Sequence, residues 1–208
     1  MKILLVGATG KTGSEVLKVC LARGHEVTAY VRSPHRLAVA DAKLKVQPGE
    51  LFDAPKLAAT MCGQEAVVSC LGLPARLALR PSRFMTESAA AIVAAMTSAG
   101  VARLCILSAA VLFPGRGLPY AFFKWLLQHH ARDLEGMEAV VAASDLEWTL
   151  PRPPRLSRGA DARYLSEVNA LPANAAFSAT FRGVASFMVD AVEQRRHVRQ
   201  VVGVASPR

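Results

Sequence analysis

The sequence predicts an α/β protein with a doubly wound, Rossmann-like parallel sheet and helices on both faces. Short apolar runs typical of buried strands alternate along the chain with stretches of helical period. A glycine-rich turn directly follows the first of these runs, as at a ligand-binding strand–helix junction. The chain has 208 residues, of which 52% are hydrophobic, so a full core is expected without disulfide or metal support.

The first part of the chain alternates strand, helix and strand. Ile3–Val6 is a continuous apolar run, which is typical of a strand buried on both faces. The apolar residues of Thr12–Arg23 fall on one helical face, and a glycine follows as a C-terminal stop. Further strands are predicted at His25–Val31, Lys43–Gln47 and Ala66–Leu71.

The remainder continues the same alternation. Arg83–Ala99 is rich in alanine and predicts a helix, and Leu104–Leu107 predicts the fifth strand. Tyr120–Ala143 contains one or two helices, and Glu147–Leu150 is a strand that prolines terminate. We expect one domain over residues 1–208, in which residues 151–208 add substrate-side loops, a last helix (Phe181–Glu193) and a last strand (Gln200–Val204).

The strongest motif is the turn Gly7-Ala8-Thr9-Gly10-Lys11-Thr12-Gly13. Glycines there permit a tight turn and close approach of the backbone to a phosphate, and the helix start supplies N–H groups and a positive dipole end. A nucleotide P-loop is excluded, because Leu5 stands where that motif needs its first glycine. The predicted cofactor-binding residues of the turn are Gly7, Thr9, Gly10, Lys11, Thr12 and Gly13.

The spacing of this turn resembles the atypical branch of the short-chain dehydrogenase/reductase superfamily, whose members include flavin reductase/biliverdin reductase B-type and NmrA-like NAD(P)H-binding proteins. The resemblance continues through Val31-Arg32-Ser33, the segments 67–72 and 89–96, and Trp148 to Pro154. It therefore covers nearly the whole chain. It implies a single NAD(P)-binding Rossmann domain and an oxidoreductase activity.

The end of the second strand predicts a preference for NADP(H) over NAD(H). A carboxylate that would bind the ribose 2′-hydroxyl of NAD is absent there. Arg32 instead offers a guanidinium for a 2′-phosphate and Ser33 adds a hydroxyl, while Arg36 or Lys11 could supply a second charge. By position at the ends of later strands or by the resemblance, the other predicted cofactor contacts are Glu50, Leu51, Cys70, Leu71, Gly72, Ser108 and Pro151.

Catalytic candidates follow the fifth strand. Ser108, Tyr120 and Lys124 together match a Ser, Tyr-x-x-x-Lys arrangement, in which the tyrosine passes a proton to a carbonyl oxygen. Counting back from Trp148 instead places the tyrosine position near His130, so that the pair is absent and His130, or its neighbour His129, becomes the proton-donor candidate. Only Ser108 is common to both alignments.

Four functions are compatible with these residues. The favoured one is an NADPH-dependent reductase that transfers hydride to a flavin, quinone or similar planar acceptor. The alternatives are a non-catalytic NADP(H)-binding redox regulator and a carbonyl dehydrogenase using Ser108, Tyr120 and Lys124. Nucleic-acid binding is the fourth, on the net charge of +9, but no block of like charges supports it. A basic loop over residues 73–84, with Arg76, Arg80 and Arg83, could hold an acidic group of the substrate.

The sequence also argues against a metal site, a signal peptide and a membrane span. The four cysteines show no metal-ligand spacing, so reduced core thiols and no metal are expected. The apolar run at the amino terminus is too short for a signal peptide, and no stretch predicts a membrane span. We therefore expect a cytoplasmic protein with a small-molecule partner and neither a nucleic-acid nor a membrane partner, while the oligomeric state stays open.

Overall fold

The structure is a computed structural model that describes residues 1–73, 79–114 and 125–208. Its strands are β1 (Lys2–Val6), β2 (Glu26–Val31), β3 (Leu44–Pro48), β4 (Ala66–Ser69), β5 (Arg103–Ile106), β6 (Glu147–Arg152), β7 (Arg155–Ser157), β8 (Leu165–Val168), β9 (Ser178–Thr180) and β10 (Gln200–Ala205). Its helices are α1 (Lys11–Ala22), α2 (Ala54–Met61), α3 (Phe84–Ala99), α4 (Gln128–Ala142) and α5 (Phe181–Glu193), with 3-10 turns at Pro34–Arg36 and Ala110–Leu112.

The main sheet has eight strands in the order β3-β2-β1-β4-β5-β6-β10-β8. All neighbours pair in parallel except β10 and β8, which are antiparallel. The strand order reverses beside β1, between β2 and β4, which is the switch point where doubly wound sheets bind ligands. The predicted Rossmann-like fold class is therefore confirmed.

Alternating side chains of the sheet build one apolar core on each face. Ile3 and Leu5 of β1 face the core that α1 and α5 cover. Leu4 and Val6 face the opposite core, which α2, α3 and α4 cover. Because each central strand is buried on both faces, its sequence is continuously apolar, and this is why β1 and β4 are recognisable from sequence.

Several elements differ from the prediction. The helix α2 was not predicted; it is two turns long, and the Asp53 carboxylate accepts a hydrogen bond from the Lys56 N–H at its start. The small β7–β9 pair and the edge strand β8 were also missed, because these short strands are partly exposed and carry no continuous apolar run. The strand β4 ends at Ser69, before the predicted Leu71. Tyr120 and Lys124 lie outside the described residues.

Candidate functional site

The glycine turn joins β1, which ends at Val6, to α1, which begins at Lys11. Gly7 has a φ of +84°, and a Cβ atom there would lie 2.9 Å from the carbonyl carbon and oxygen of Cys70. A Cβ atom at Gly13 would lie 2.1 Å from the Gly7 carbonyl oxygen. The Gly10 N–H donates a 3.0 Å hydrogen bond to that same oxygen. The turn therefore requires glycine at two of its positions.

The amino terminus of α1 has no capping side chain. Gly10 caps the helix without a side-chain hydrogen bond, and its first turn carries no acidic residue. The first N–H groups of a helix have no intrahelical acceptor and sit at the positive end of the dipole. Lys11, one of the two candidates for the second charge, extends elsewhere: its Nζ lies 5.8 Å from the centre of the Phe181 ring, at the start of α5.

A cleft of about 230 Å³ lies at the carboxyl ends of β1, β2 and β4. It brings together three predicted groups: the turn residues, the end of β2, and the segments that follow β3 and β4. Lys11, Thr12, Gly13, Ser108 and Pro151 are not among its lining residues. The predicted residues that line it are Gly7, Thr9, Gly10, Arg32, Ser33, Glu50, Leu51, Cys70, Leu71 and Gly72; Tyr30, Arg36, Phe52 and Phe84 line it as well.

The charge of the cleft comes from two arginines and one carboxylate. Arg32 is the first residue after β2, and Arg36 belongs to the 3-10 turn that follows; both line the cleft. Ser33 lies between them and also lines the cleft. Glu50 contributes the carboxylate, from the segment after β3. Arginine guanidinium groups and a hydroxyl that line one cleft are the side-chain types that bind a phosphate monoester, the group that distinguishes NADP from NAD.

A second polar group of predicted residues lies further along the same sheet edge. The Leu107 N–H donates to the Ser69 carbonyl oxygen at 3.0 Å, and the Ser108 N–H donates to the Pro151 carbonyl oxygen at 2.9 Å. Ser108 therefore follows β5, beside the end of β4. Its hydroxyl donates a 2.5 Å hydrogen bond to Glu138 on α4, which sequence reasoning did not assign to the site.

The two candidate proton donors, His129 and His130, lie in different surroundings. His129 lines a separate cleft between the starts of α3 and α4, together with Arg83 and Arg132. His130 lines neither cleft, and its Nδ1 atom is buried without a hydrogen-bond partner among the described residues. Burial lowers the pKa of His130 below its ordinary value of 6.5, which opposes a role as proton donor at neutral pH.

The buried thiols have the chemistry of core residues. All four cysteines are outside disulfides, and only Cys62 is exposed. Burial raises the pKa of Cys20 to about 12 and raises the pKa values of Cys70 and Cys105 as well. A thiol that stays protonated is a poor nucleophile, so Cys70 shapes the cleft as a small apolar group.

The described residues provide neither a metal-binding cluster nor a membrane-spanning helix. Residues 1–73, 79–114 and 125–208 contain no group of three or more His, Cys, Asp or Glu side chains placed to hold a metal ion. Within the same ranges, no helix has the length and apolar character needed to cross a membrane.

A glycine turn at a strand–helix junction, an uncapped helix start and a cleft at the switch point define a dinucleotide-binding Rossmann-type protein. A family model described as NAD(P)H-binding matches residues 7–195, and the chain belongs to this NAD(P)H-binding family. A curated relative, Uncharacterized protein YwnB of Bacillus subtilis, is 51% identical over 41 residues, which are 20% of this chain and only 19% of that protein.

Solved structures are similar over almost the whole chain. A protein of Burkholderia pseudomallei, provisionally described as exported, superposes with a TM-score of 0.79 at 26% identity, covering 99% of both chains. A short-chain dehydrogenase/reductase (wide type) of Veillonella parvula in complex with NADP gives 0.78 at 19% identity, covering 99% of this chain and 94% of that one. SP1627 of Streptococcus pneumoniae, provisionally named an NADH-flavin reductase, gives 0.79 at 18% identity, covering 99% of both.

Proposed function

We propose that this protein is an oxidoreductase that binds NADPH in preference to NADH and transfers its hydride to a flavin, quinone or similar planar acceptor. The observation that carries the proposal is the cleft beside β1, which is lined both by the glycine turn and by two arginines of the segment that follows β2. Arg32 and Arg36 suit the 2′-phosphate, and the start of α1 suits the pyrophosphate.

The remaining predicted residues are proposed contacts along the same edge. The ribose and adenine would lie against Glu50, Leu51 and the segment 70–72, while Ser108 and Pro151 would flank the nicotinamide. Lys11, Thr12 and Gly13 would act through their backbone N–H groups rather than their side chains.

The acceptor class rests on chemistry and on one neighbour. Bound NADPH would supply a hydride from C4 of its nicotinamide to an electron-poor ring, for example at N5 of a flavin; with one proton from water, the products would be NADP⁺ and the reduced ring. This step needs close stacking and orientation more than a strong acid on the protein. The similarity to a protein provisionally named an NADH-flavin reductase supports this acceptor class.

We place the protein in the cytoplasm as a prediction, in keeping with cysteines that form no disulfide.

Calorimetric titration with NADPH and with NADH tests the cofactor site. We expect the wild type to bind NADPH about tenfold or more tightly than NADH, and Arg32→Ala to lose most of that difference, because a charge-assisted bond to the 2′-phosphate is removed. Arg158→Ala, an exposed arginine that does not line the cleft, is the matched control. Equal affinity for both cofactors in the wild type would overturn the NADPH preference.

Turnover separates the alternatives. NADPH oxidation at 340 nm is measured with FMN, with a benzoquinone and with an aromatic aldehyde as acceptors. Reduction of FMN or the quinone supports the proposal, whereas tight NADPH binding without turnover of any acceptor supports the redox-regulator alternative. Reduction of the aldehyde that Tyr120→Phe abolishes would support the carbonyl dehydrogenase.

A further inference from the structure

A hydrogen-bonded group of two buried residues and one half-buried residue joins three elements, further along the sheet edge that carries the cleft. Ser108 follows β5, Glu138 lies on α4, and Arg152 ends β6. The Glu138 carboxylate accepts from the Ser108 hydroxyl at 2.5 Å, from Arg152 Nε at 2.9 Å and from Arg152 Nη2 at 2.5 Å. Ser108 is 6% exposed and Glu138 is 9% exposed. The Arg152 guanidinium also lies 4.8 Å from the centre of the Phe113 ring.

This arrangement determines whether the Ser108 hydroxyl can donate or only accept a further hydrogen bond. An arginine guanidinium only donates hydrogen bonds, so both carboxylate oxygens of Glu138 are acceptors in the bidentate pair with Arg152, and Oε1 also accepts from the Ser108 hydroxyl. A hydroxyl has one hydrogen and two lone pairs. Because Glu138 takes the hydrogen, Ser108 has only lone pairs to offer any other partner.

Ser108 lies on the part of the sheet edge where the nicotinamide of a bound dinucleotide would extend. Its strand, β5, pairs with β4, and the segment after β4 lines the cleft. A dinucleotide whose phosphates lie at the glycine turn extends along this edge of the sheet, with its nicotinamide past β4. The nicotinamide carboxamide ends in an NH₂ group with two hydrogens to donate.

We propose that Glu138 and Arg152 are positioning residues, which fix the Ser108 hydroxyl as a hydrogen-bond acceptor for the carboxamide NH₂ of the nicotinamide. Ser108 then orients the cofactor ring and does not supply the proton of the reduction. This inference rests on the proposed function, because it needs a dinucleotide in the cleft.

The acceptor role of Ser108 is tested by comparing the affinities of the protein for NADP⁺ and for an analogue that lacks the donor. The 3-acetylpyridine analogue of NADP⁺ carries a methyl group in place of the carboxamide NH₂, so it cannot donate to Ser108. We expect the wild type to bind NADP⁺ about tenfold more tightly than the analogue, and Ser108→Ala to bind the two about equally. Ser108→Thr, which keeps the hydroxyl, restores the preference. An unchanged preference in Ser108→Ala overturns the assignment of Ser108.

A double variant tests the positioning role of Glu138 and Arg152. Glu138→Met combined with Arg152→Met removes the ion pair without leaving a buried unpaired charge. We expect the preference for NADP⁺ over the analogue to fall at least threefold in this double variant, and to show no further fall when Ser108→Ala is added. If the double variant does not fold, Glu138→Met alone carries the same expectation, because it likewise removes the acceptor of the Ser108 hydrogen. A wild-type preference in the folded variant overturns the positioning role.

Steady-state kinetics supply a second readout. With NADPH and FMN, we expect Ser108→Ala to raise KM for NADPH about tenfold and to change kcat by less than about threefold. Loss of a proton donor would instead lower kcat by about 100-fold or more, and that result overturns the proposal. Failure of the wild type to bind NADP⁺ at all overturns the proposed function as well, whereas NADP⁺ binding without preference over the analogue overturns only this inference.

Discussion

The phenol of Tyr30 donates a 2.9 Å hydrogen bond to the backbone carbonyl oxygen of Glu50. Tyr30 belongs to β2 and Glu50 follows β3, so this bond joins the ends of two neighbouring strands at the cleft. A Cβ atom at Gly49 would lie 2.2 Å from the Tyr30 hydroxyl oxygen, which shows how closely the ring packs on that backbone. One buried phenol therefore holds the side of the cleft where we place the adenine.

Tyr30→Phe is expected to weaken NADPH binding about threefold to tenfold and to lower the free energy of unfolding by about 1 kcal/mol, because the Glu50 carbonyl loses its donor. Calorimetry and urea denaturation measure the two effects. Tyr164→Phe is the matched control, since that phenol donates to Asp190, and neither residue lines the cleft. The control should lose stability only, and equal NADPH affinity in Tyr30→Phe and wild type would contradict the role of this bond.

Glu50 and Tyr30 illustrate what the sequence could and could not predict. Glu50 follows a strand, and the ends of parallel strands meet at one edge, so its place beside the cleft was predictable. The role of Tyr30 was not, because it depends on contact between its ring and Gly49, which belongs to the neighbouring strand's end. Packing across strands leaves no trace in local periodicity.

Ser108 and Glu138 show the same division. Ser108 was predicted from its position after an apolar strand, whereas Glu138 lies 30 residues later within a helix of mixed composition. A buried glutamate looks in sequence like any solvated helical residue until its partners are known. Sequence thus identifies the edge of the sheet that binds ligands, and the three-dimensional structure identifies which side chains meet there.

Gly13→Ala is expected to destabilise the protein by about 2 kcal/mol or more and to abolish NADPH binding, because the new methyl group would collide with the Gly7 carbonyl. Gly72→Ala is the matched variant, since a Cβ atom there has nothing within 4 Å. Thermal denaturation should leave Gly72→Ala close to the wild type. A folded, NADPH-binding Gly13→Ala protein would show that the turn can open without loss of the site.

Asp133→Ala is expected to lower the free energy of unfolding by about 1–2 kcal/mol. Asp133 on α4 is buried and accepts hydrogen bonds from the Met85 N–H at 3.1 Å, and from the Thr86 N–H and hydroxyl at 2.9 Å each. Its removal leaves the first turn of α3 without these acceptors. Urea denaturation measures the effect, and Asp145→Ala, an exposed aspartate, serves as the control. Equal losses in the two variants would contradict this capping role.

Thiol labelling is expected to distinguish Cys62 from the other three cysteines. In the native protein, an excess of a disulfide reagent should modify one thiol quickly, because Cys62 is exposed while burial keeps Cys20, Cys70 and Cys105 protonated and inaccessible. In denaturant all four should react. Cys62→Ser should abolish the fast phase, and a fast phase that persists in this variant would place a reactive thiol elsewhere, with Cys70 as the first to examine because it lines the cleft.

Stability is expected to rise between about pH 5 and pH 6.5, in part through the buried His25 and the half-buried His130. Burial lowers the pKa values of His130 and His25 below 6.5 in the folded state, and the amino terminus adds to the effect at His25. In that window the unfolded chain binds more protons than the folded one, so raising the pH favours folding, with at most about 1.4 kcal/mol per pH unit from each residue. His130→Leu should flatten the curve, and His25→Gln combined with it should flatten the curve further. Urea denaturation at pH 5, 6 and 7 measures the slopes, and a slope in the double variant as steep as in the wild type would assign the acid sensitivity to other groups.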